Sequence, residues 1–374
     1  MEEISFTKTV KCQLETSNKK NEKLRKVIDL WQDVVDHLSD VAYSYDPYKW
    51  RQRPDALYRE ASEYVEDGSI HSNGLLEACQ KVKSSYASWD SNGRPGEHPY
   101  NEFGSGNYAR FHNNSITLEE NKNGYGVKLG LIPYNPEWFS LICGEHHRQE
   151  LESCLNGNAS IGAFEVHLKD ETPTLHVAVT KTVEQPSPPD IETYVGVDIG
   201  ENVLFSAATI GSTETATMMD GHEFRHHREK LSDRISHFQE NGKLHKVKSL
   251  ENERLKYTDH MTHVASRKVI DFADEHNVPA IGLENLTGYR NSDGAIHDWP
   301  FAELQEKIVY KARESGMPVV FVNPAYSSQT CRKCGNTRSS QRNGDDFECA
   351  ECGYEVHADV NAAFNLAQRA NQKL

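Results

Sequence analysis

With 374 residues, 37% apolar and 26% charged, the chain has the length for two or three domains and the balance of a globular protein. No run approaches the ~18–20 apolar residues that span a bilayer, and the opening MEEISFTKTV has neither the basic nor the apolar region of a signal peptide. No membrane partner and a cytoplasmic location are therefore expected. A net charge of −15 argues at first sight against nucleic acid as a partner, but the charge is uneven. Residues 101–200 carry six basic against fourteen acidic side chains, whereas residues 221–270 carry eleven Lys and Arg against seven Asp and Glu, with seven histidines. A dense acidic surface around a preserved basic segment fits a protein of a high-salt (halophilic) cytoplasm, where charge is screened at short range. An ordinary acidic enzyme with one solvated charged helix reads the same numbers differently.

In chain order, residues 4–14 alternate polar and apolar positions and predict a strand. From Asn21 to Ser44 the period becomes helical, with Leu24, Ile28, Trp31, Val35, Leu38 and Ala42 on one stripe. Further helices are expected over 53–88, broken at Gly68–Ser69 and at Asn73–Gly74, and SNGRPGEHP (91–99) is a loop by composition. The runs YARFHN, SITLEE, YGVKLGLIP, GAFEVHLKD and TLHVAVTKT are short strands between turns, which suggests a β-barrel or sandwich. The expected layout is a barrel from 1–18 and 92–183, with a helical insertion at 19–91. Core packing accounts for this half, and nothing in it signals chemistry.

The proline-rich EQPSPPD (184–190) reads as a linker to a domain at 191–374. YVGVDIG (194–200), NVLFSAATI (202–210) and ATMMDG (216–221) predict three strands in a meander. A long basic helical region follows over 224–275. PAIGLEN (279–285) is the next strand, a helix carries Phe301, Leu304, Ile308 and Ala312 on one face, and MPVVFVNP (317–324) is another strand. A terminal helix closes this series. Three strands, helix, strand, helix, strand, helix is the element order of an α/β, RNase H-like domain.

Two patterns on those elements carry chemistry. Cys331-x2-Cys334 and Cys349-x2-Cys352 stand fourteen residues apart, each second cysteine followed by glycine. In a chain without an export signal this is a zinc-ribbon pattern, expected over 325–356. Four thiolates leave no open position, so the Zn²⁺ is structural. Asp198 ends the first strand of the domain, Glu284 the fourth, and Asp359 opens the last helix, seven residues past the final cysteine. Singly, each has a plain explanation as a cap or a turn residue. Together they form a constellation of hard oxygen ligands able to hold two Mg²⁺ or Mn²⁺ ions about 4 Å apart, the centre of a phosphodiester hydrolase.

YVGVDIG, IGLENLTG, the pair SSQTCRKCG and FECAECG, and HADVNAAFNLA together resemble the RuvC-type nuclease half of the transposon-encoded TnpB (OrfB) family, which is similar to the small type V CRISPR effectors. The motifs come in family order across about 190–374. The first half resembles the family more loosely, as an opening strand, a helical recognition insertion and a wedge barrel gripping guide RNA and flanking DNA. The resemblance implies Asp198, Glu284 and Asp359 as catalytic acids, and Cys331, Cys334, Cys349 and Cys352 as the zinc ribbon inserted before the third acid. His357 is taken as a neighbour, not a ligand.

The resemblance also implies a transposase-like, RNA-guided DNA endonuclease, with a transposon-derived guide RNA and a double-stranded DNA target as partners and no particular oligomeric state. Arg225, Arg228, Arg234, Lys246, Lys248, Arg254, Arg267 and Lys268 are then candidates to line a guide–target channel. The plainer account of each is a solvated two-helix hairpin. Arg338 and Arg342 lie between the cysteine pairs, where the resemblance places an arginine near the scissile phosphate, and where exposed arginines also meet backbone phosphate or solvent. Trp31, Trp50, Trp89 and Trp299 are expected in the core rather than as base platforms. Two other functions stay open at this point: a catalytically idle RNA-guided repressor, and an RNase H-like recombinase that joins strands.

Overall fold

The computed structural model describes residues 1–44, 55–93, 107–121, 124–169, 171–187, 191–210, 214–286 and 299–372. Trp50, most of the 91–99 loop and the end of the 184–190 linker lie outside them. The chain divides into two units, Ser5–Thr182 and Met1–Ile4 with Val183–Leu374.

In the first unit, β1 (Glu2–Glu15) turns Val10, Cys12 and Leu14 inward at alternate positions. Helix α1 (Asn18–Ser44) buries Leu24, Ile28, Trp31, Val35, Leu38 and Ala42, the stripe that its period predicts. Helices α2 (Ala56–Tyr64) and α3 (Ser72–Ser91) follow, then β2 (Tyr108–Phe111), β3 (Ile116–Asn121), β4 (Gly124–Leu129), β5 (Glu137–Ile142), α4 (Glu145–Leu155), β6 (Ala159–Lys169) and β7 (Thr172–Gln185). The seven strands form one sheet in the order β2-β6-β7-β1-β5-β4-β3. Its ends are β2 and β3, and among the described residues no pairing joins them into a closed barrel. Helices α1 to α3 share the sheet's core, so the described residues of 19–91 pack as part of this unit.

Asn73–Gly74 is not a break. It lies in the first turn of α3, where an added Cβ on Gly74 would meet the Phe111 ring at 2.6 Å and where the Gly74 carbonyl accepts from Trp31 Nε1 at 2.9 Å. The glycine is there for a close helix–sheet contact. Helix α4 and strand β5 are absent from the sequence reading. In α4 only Glu150 and Leu151 are buried, and Glu150 is held by Lys8 and Lys181, each at 2.6 Å. Such a helix shows no apolar stripe.

In the second unit, β8 (Val195–Asp198), β9 (Val203–Thr209) and β10 (Thr215–Asp220) make the expected antiparallel meander. Helices α5 (His222–Glu240) and α6 (Leu244–Glu275) lead to β11 (Ile281–Glu284), which lies parallel to β8. Helix α7 (Phe301–Glu314) returns the chain to β12 (Val319–Val322), parallel to β11. The sheet order is β10-β9-β8-β11-β12. A small sheet of β13 (Arg342–Asn343), β14 (Asp346–Glu348) and β15 (Glu355–His357) precedes α8 (Ala358–Gln372).

The two central strands divide their faces by residue size. Val195, Val197, Ile281 and Leu283 pack with Ala265, Val269, Leu304 and Ile308 of α6 and α7. Gly196 and Gly282 take the other face, against α8. A Cβ on Gly196 would stand 2.0 Å from the Ala363 carbonyl oxygen and 2.2 Å from the Ala367 nitrogen; one on Gly282 would stand 2.6 Å from the Ala370 Cβ. Helix α8 therefore lies backbone to backbone on the strands. Among the described residues no helix is long and apolar enough to cross a membrane.

Because the atoms met at Gly196 are backbone, they have nowhere to yield. Gly196→Ala is expected to destabilise the second unit by about 3 kcal/mol, seen as a lowered urea midpoint. An unchanged midpoint would mean that α8 stands off the sheet.

Candidate active site

Strands β8 and β11 are parallel and in register, Val197 opposite Leu283, so Asp198 and Glu284 finish neighbouring strands side by side. Catalytic groups in open α/β sheets gather at these carboxyl ends. Asp359 arrives from the first turn of α8, which crosses β8 and β9. Glu284 and Asp359 are buried and Asp198 is partly so.

Three interactions fix the acids. The Ile199 N–H donates to Glu284 Oε1 at 2.8 Å, tying the end of one strand to the acid of the next. Gln305 Nε2 of α7 donates to the Glu284 carbonyl oxygen at 2.7 Å. The Asp359 N–H donates to His357 Nδ1 at 3.3 Å, which makes His357 a cap on the last helix. Asp359 also meets Arg342 of the ribbon, whose guanidinium lies 3.1 Å from Oδ1.

The electrostatics show a site short of positive charge. Burial, followed by repulsion from Asp359, pushes Asp198 up to about 7, with Arg342 pulling the other way. Burial and then repulsion from Asp198 raise Glu284 well above the ordinary carboxylate range, against the Ile199 hydrogen bond. The three acids nevertheless stand wider apart than the two groups whose ligand atoms all lie within 4.8 Å of one another among the described residues, the four cysteines and Glu165–His167–His176. A pair of cations about 4 Å apart needs a wider cradle than one ion.

The four cysteines form a compact cluster. Cys331 and Cys352 Sγ are 3.7 Å apart, and Cys334 and Cys349 Sγ 3.4 Å. Tetrahedral Zn–S bonds of about 2.3 Å require sulfur separations close to these. Gly335 and Gly353 follow the second cysteine of each pair with φ of 76° and 66°, a backbone conformation that side chains rarely adopt. Each donates its N–H to the first cysteine's carbonyl, at 2.8 and 2.9 Å. The donor set and the turns fit a structural Zn²⁺.

Asn361 and Asn365, overlooked in the sequence although both are polar within an apolar helix, join this ribbon to α8. Both amides donate to the Thr330 carbonyl oxygen at 2.7 Å, and Asn365 also donates to that of Ser327 at 2.7 Å. Arg332 lays its guanidinium 3.8 Å from the Phe364 ring centre and pairs with Glu214.

The basic candidates separate by burial. Arg234, Lys246, Lys248, Arg267 and Lys268 are exposed on α5 and α6, while Arg225 and Arg254 are half-buried. Arg228, by contrast, is buried, with its guanidinium 5.6 Å from the ring centres of both Phe224 and Trp299. Trp299 meets Phe224 edge-on at 5.2 Å, a packing role, and Trp31 is buried. Trp89 packs against the core of the first unit. Arg338 is exposed, 3.9 Å from Glu351.

Two outcomes follow from this geometry. An acid whose folded pKa lies above its unfolded value favours folding below the latter, an advantage lost as pH climbs through the former. Asp198, ordinarily near 3.8 and here about 7, makes the protein free of added divalent cation less stable as pH rises across that window. Asp198→Asn should raise its stability at pH 8 by on the order of 2 kcal/mol and hardly change it at pH 4, as chemical denaturation would record. Stripping zinc, or Cys352→Ser, should open residues 331–357 to proteolysis while the core around Val195 and Ile308 stays protected from hydrogen exchange; an unaltered cleavage pattern would contradict a structural zinc.

Comparison with known proteins shows what the chain is similar to. A family model described as Cas12f1-like, TNB domain, matches residues 301–366, which includes the whole cysteine cluster. A CRISPR-associated endodeoxyribonuclease Cas12f1 of Sulfoacidibacillus thermotolerans is 30% identical over 234 residues, 58% of this chain and 55% of that one. A TnpB-like protein of Methanocaldococcus jannaschii is 28% identical over 262 residues, 65% of this chain and 90% of that one. The chain spans about half the length, or less, of the Cas12f1 relatives with which it aligns most extensively. Among solved structures, a Cas12f1–sgRNA–target DNA complex superposes with a TM-score of 0.65 at 18% identity, covering 94% of this chain and 83% of that one. The chain thus resembles the TnpB-like proteins and the small type V effectors in sequence, and Cas12f in fold.

Proposed function

We propose that this chain is an RNA-guided DNA endonuclease, transposon-associated, with Asp198, Glu284 and Asp359 as its catalytic acids. The observation that carries it is the convergence of three carboxylates from β8, β11 and α8 in a buried, repulsive cluster. The names of the similar proteins support the same reading: Cas12f1 endodeoxyribonucleases, and a putative RNA-guided DNA endonuclease of Escherichia coli that is 34% identical over 83 residues. Neither the idle repressor nor the strand-transfer recombinase finds support in those names. Guide RNA and a double-stranded DNA target are the partners in this reading.

Two divalent cations held by the three acids, Mg²⁺ or Mn²⁺, would supply activation of water and neutralisation of the leaving oxygen. The protein's own part is to position the acids. The Ile199 N–H fixes the orientation of the Glu284 carboxylate, and Gln305 pins the strand end that carries it. Packing of α8 on β8 and β9 holds Asp359 in place. Arg342 offers donors in a rigid fork beside Asp359, a shape suited to a phosphate oxygen. Arg234, Lys246, Lys248, Arg267 and Lys268, exposed along α5 and α6, are the side chains available to a nucleic-acid backbone.

The test is Mg²⁺-dependent cleavage of a guide-matched plasmid by the protein with the RNA transcribed beside its gene. Asp198→Ala should lower the cleavage rate at least ~10³-fold, several kcal/mol of transition-state stabilisation, with RNA and DNA binding retained. Unaltered cleavage by Asp198→Ala would overturn the assignment, and strand-transfer products would favour the recombinase.

A further inference from the structure

We propose a second transition-metal site, independent of both the ribbon and the acids, formed by Glu165, His167 and His176 on the sheet of the first unit. Glu165 and His176 stand directly opposite each other in the antiparallel β6–β7 pair, and His167 lies two residues along β6. The period of two therefore puts all three on one face, opposite Phe164, Val166 and Val177, which face the core. One ligand atom from each of the three lies within 4.8 Å of the other two.

The contacts within the trio have the form of a site. His167 Nε2 lies 2.9 Å from Glu165 Oε2, so a proton sits where a cation would be shared. The two imidazoles stack with ring centres 4.0 Å apart. Burial first, then His167 and Lys11, lower the pKa of His176 to about 4. Its Nε2 makes a long contact, 3.4 Å, to Thr174 Oγ1. The hydrogen bond from His167 lowers Glu165, which is therefore anionic.

Neighbouring cations oppose binding but do not fill the site. Arg110 lies 3.5 Å from Glu165 Oε1, on the oxygen that His167 leaves, and it is itself tied to Glu77 at 2.8 Å. Tyr108 stacks on His167 at 5.0 Å and fixes the ring plane. Two imidazoles and one carboxylate suit a borderline divalent ion, Zn²⁺ or Co²⁺, over Mg²⁺ or Ca²⁺. Three protein ligands leave a position for water or an anionic oxygen, and the partial exposure of Glu165 and His167 opens it to solvent.

The test is Co²⁺ titration of the full chain, its ribbon already loaded with zinc and Mg²⁺ present in excess to occupy the acids. One further equivalent is expected, with a visible spectrum lacking sulfur-to-cobalt charge transfer. His167→Gln with His176→Gln should abolish that equivalent, and Glu165→Gln should weaken it at least tenfold, while circular dichroism stays unchanged. No further equivalent in the wild type, or equal uptake by the histidine double variant, would overturn the proposal. Loss of the equivalent in Glu284→Gln with retention in His176→Gln would overturn it too, by moving the ion to the acids.

Discussion

The close approach of α8 to the central sheet is the constraint on which the site depends. Gly196 and Gly282 remove the side chains that would hold the helix away, and Ala363, Ala367 and Ala370 meet them from the other side. Asp359 belongs to the first turn of that helix, so the depth at which α8 docks sets how near Asp359 comes to Asp198. An extra methyl at Gly196 would be felt at a carboxylate four to eight residues along the helix. Asn361 and Asn365 extend the same rigid piece to the 327–330 turn and so to the first cysteine of the ribbon. Four thiolates, a small sheet and a helix thereby act as one mount for a single acid.

Against that rigid mount stands an electrostatic deficit. Three carboxylates are brought together with the Arg342 guanidinium against Asp359, and burial raises Asp198 and Glu284 far from their ordinary values. A fold does not gather unpaired buried acids for stability, since removing charge from such a place usually stabilises a protein. Arg342 supplies part of the missing charge from the ribbon, next to the acid that the ribbon positions. The remaining deficit is the physical ground for the proposed cations.

The second unit was open to reading from residues because its strands are short, buried and bounded by turns, and because each acid stands at an element's end. The cysteine spacing left little choice of chemistry. The first unit was harder. Helix α4 is amphipathic through an ion-paired Glu150 rather than an apolar stripe, and Gly74 looked like a turn because a packing glycine and a turn glycine are the same letter. Arg228 is buried beside two aromatic rings where its exposed neighbours are not, a matter of which helix face turns inward. Glu165 and His167 share a face by the period of two, yet His176 joins them only through the β6–β7 register, which no local pattern sets.

The most direct test of the central claim is Mn²⁺ binding followed by electron paramagnetic resonance in the zinc-loaded protein, comparing wild type with Glu284→Gln. The account predicts two Mn²⁺ ions per chain with an exchange-coupled signal, and loss of that signal when Glu284 is neutralised. Equal Mn²⁺ uptake and the same spectrum in both proteins would contradict a cation centre built on Asp198, Glu284 and Asp359.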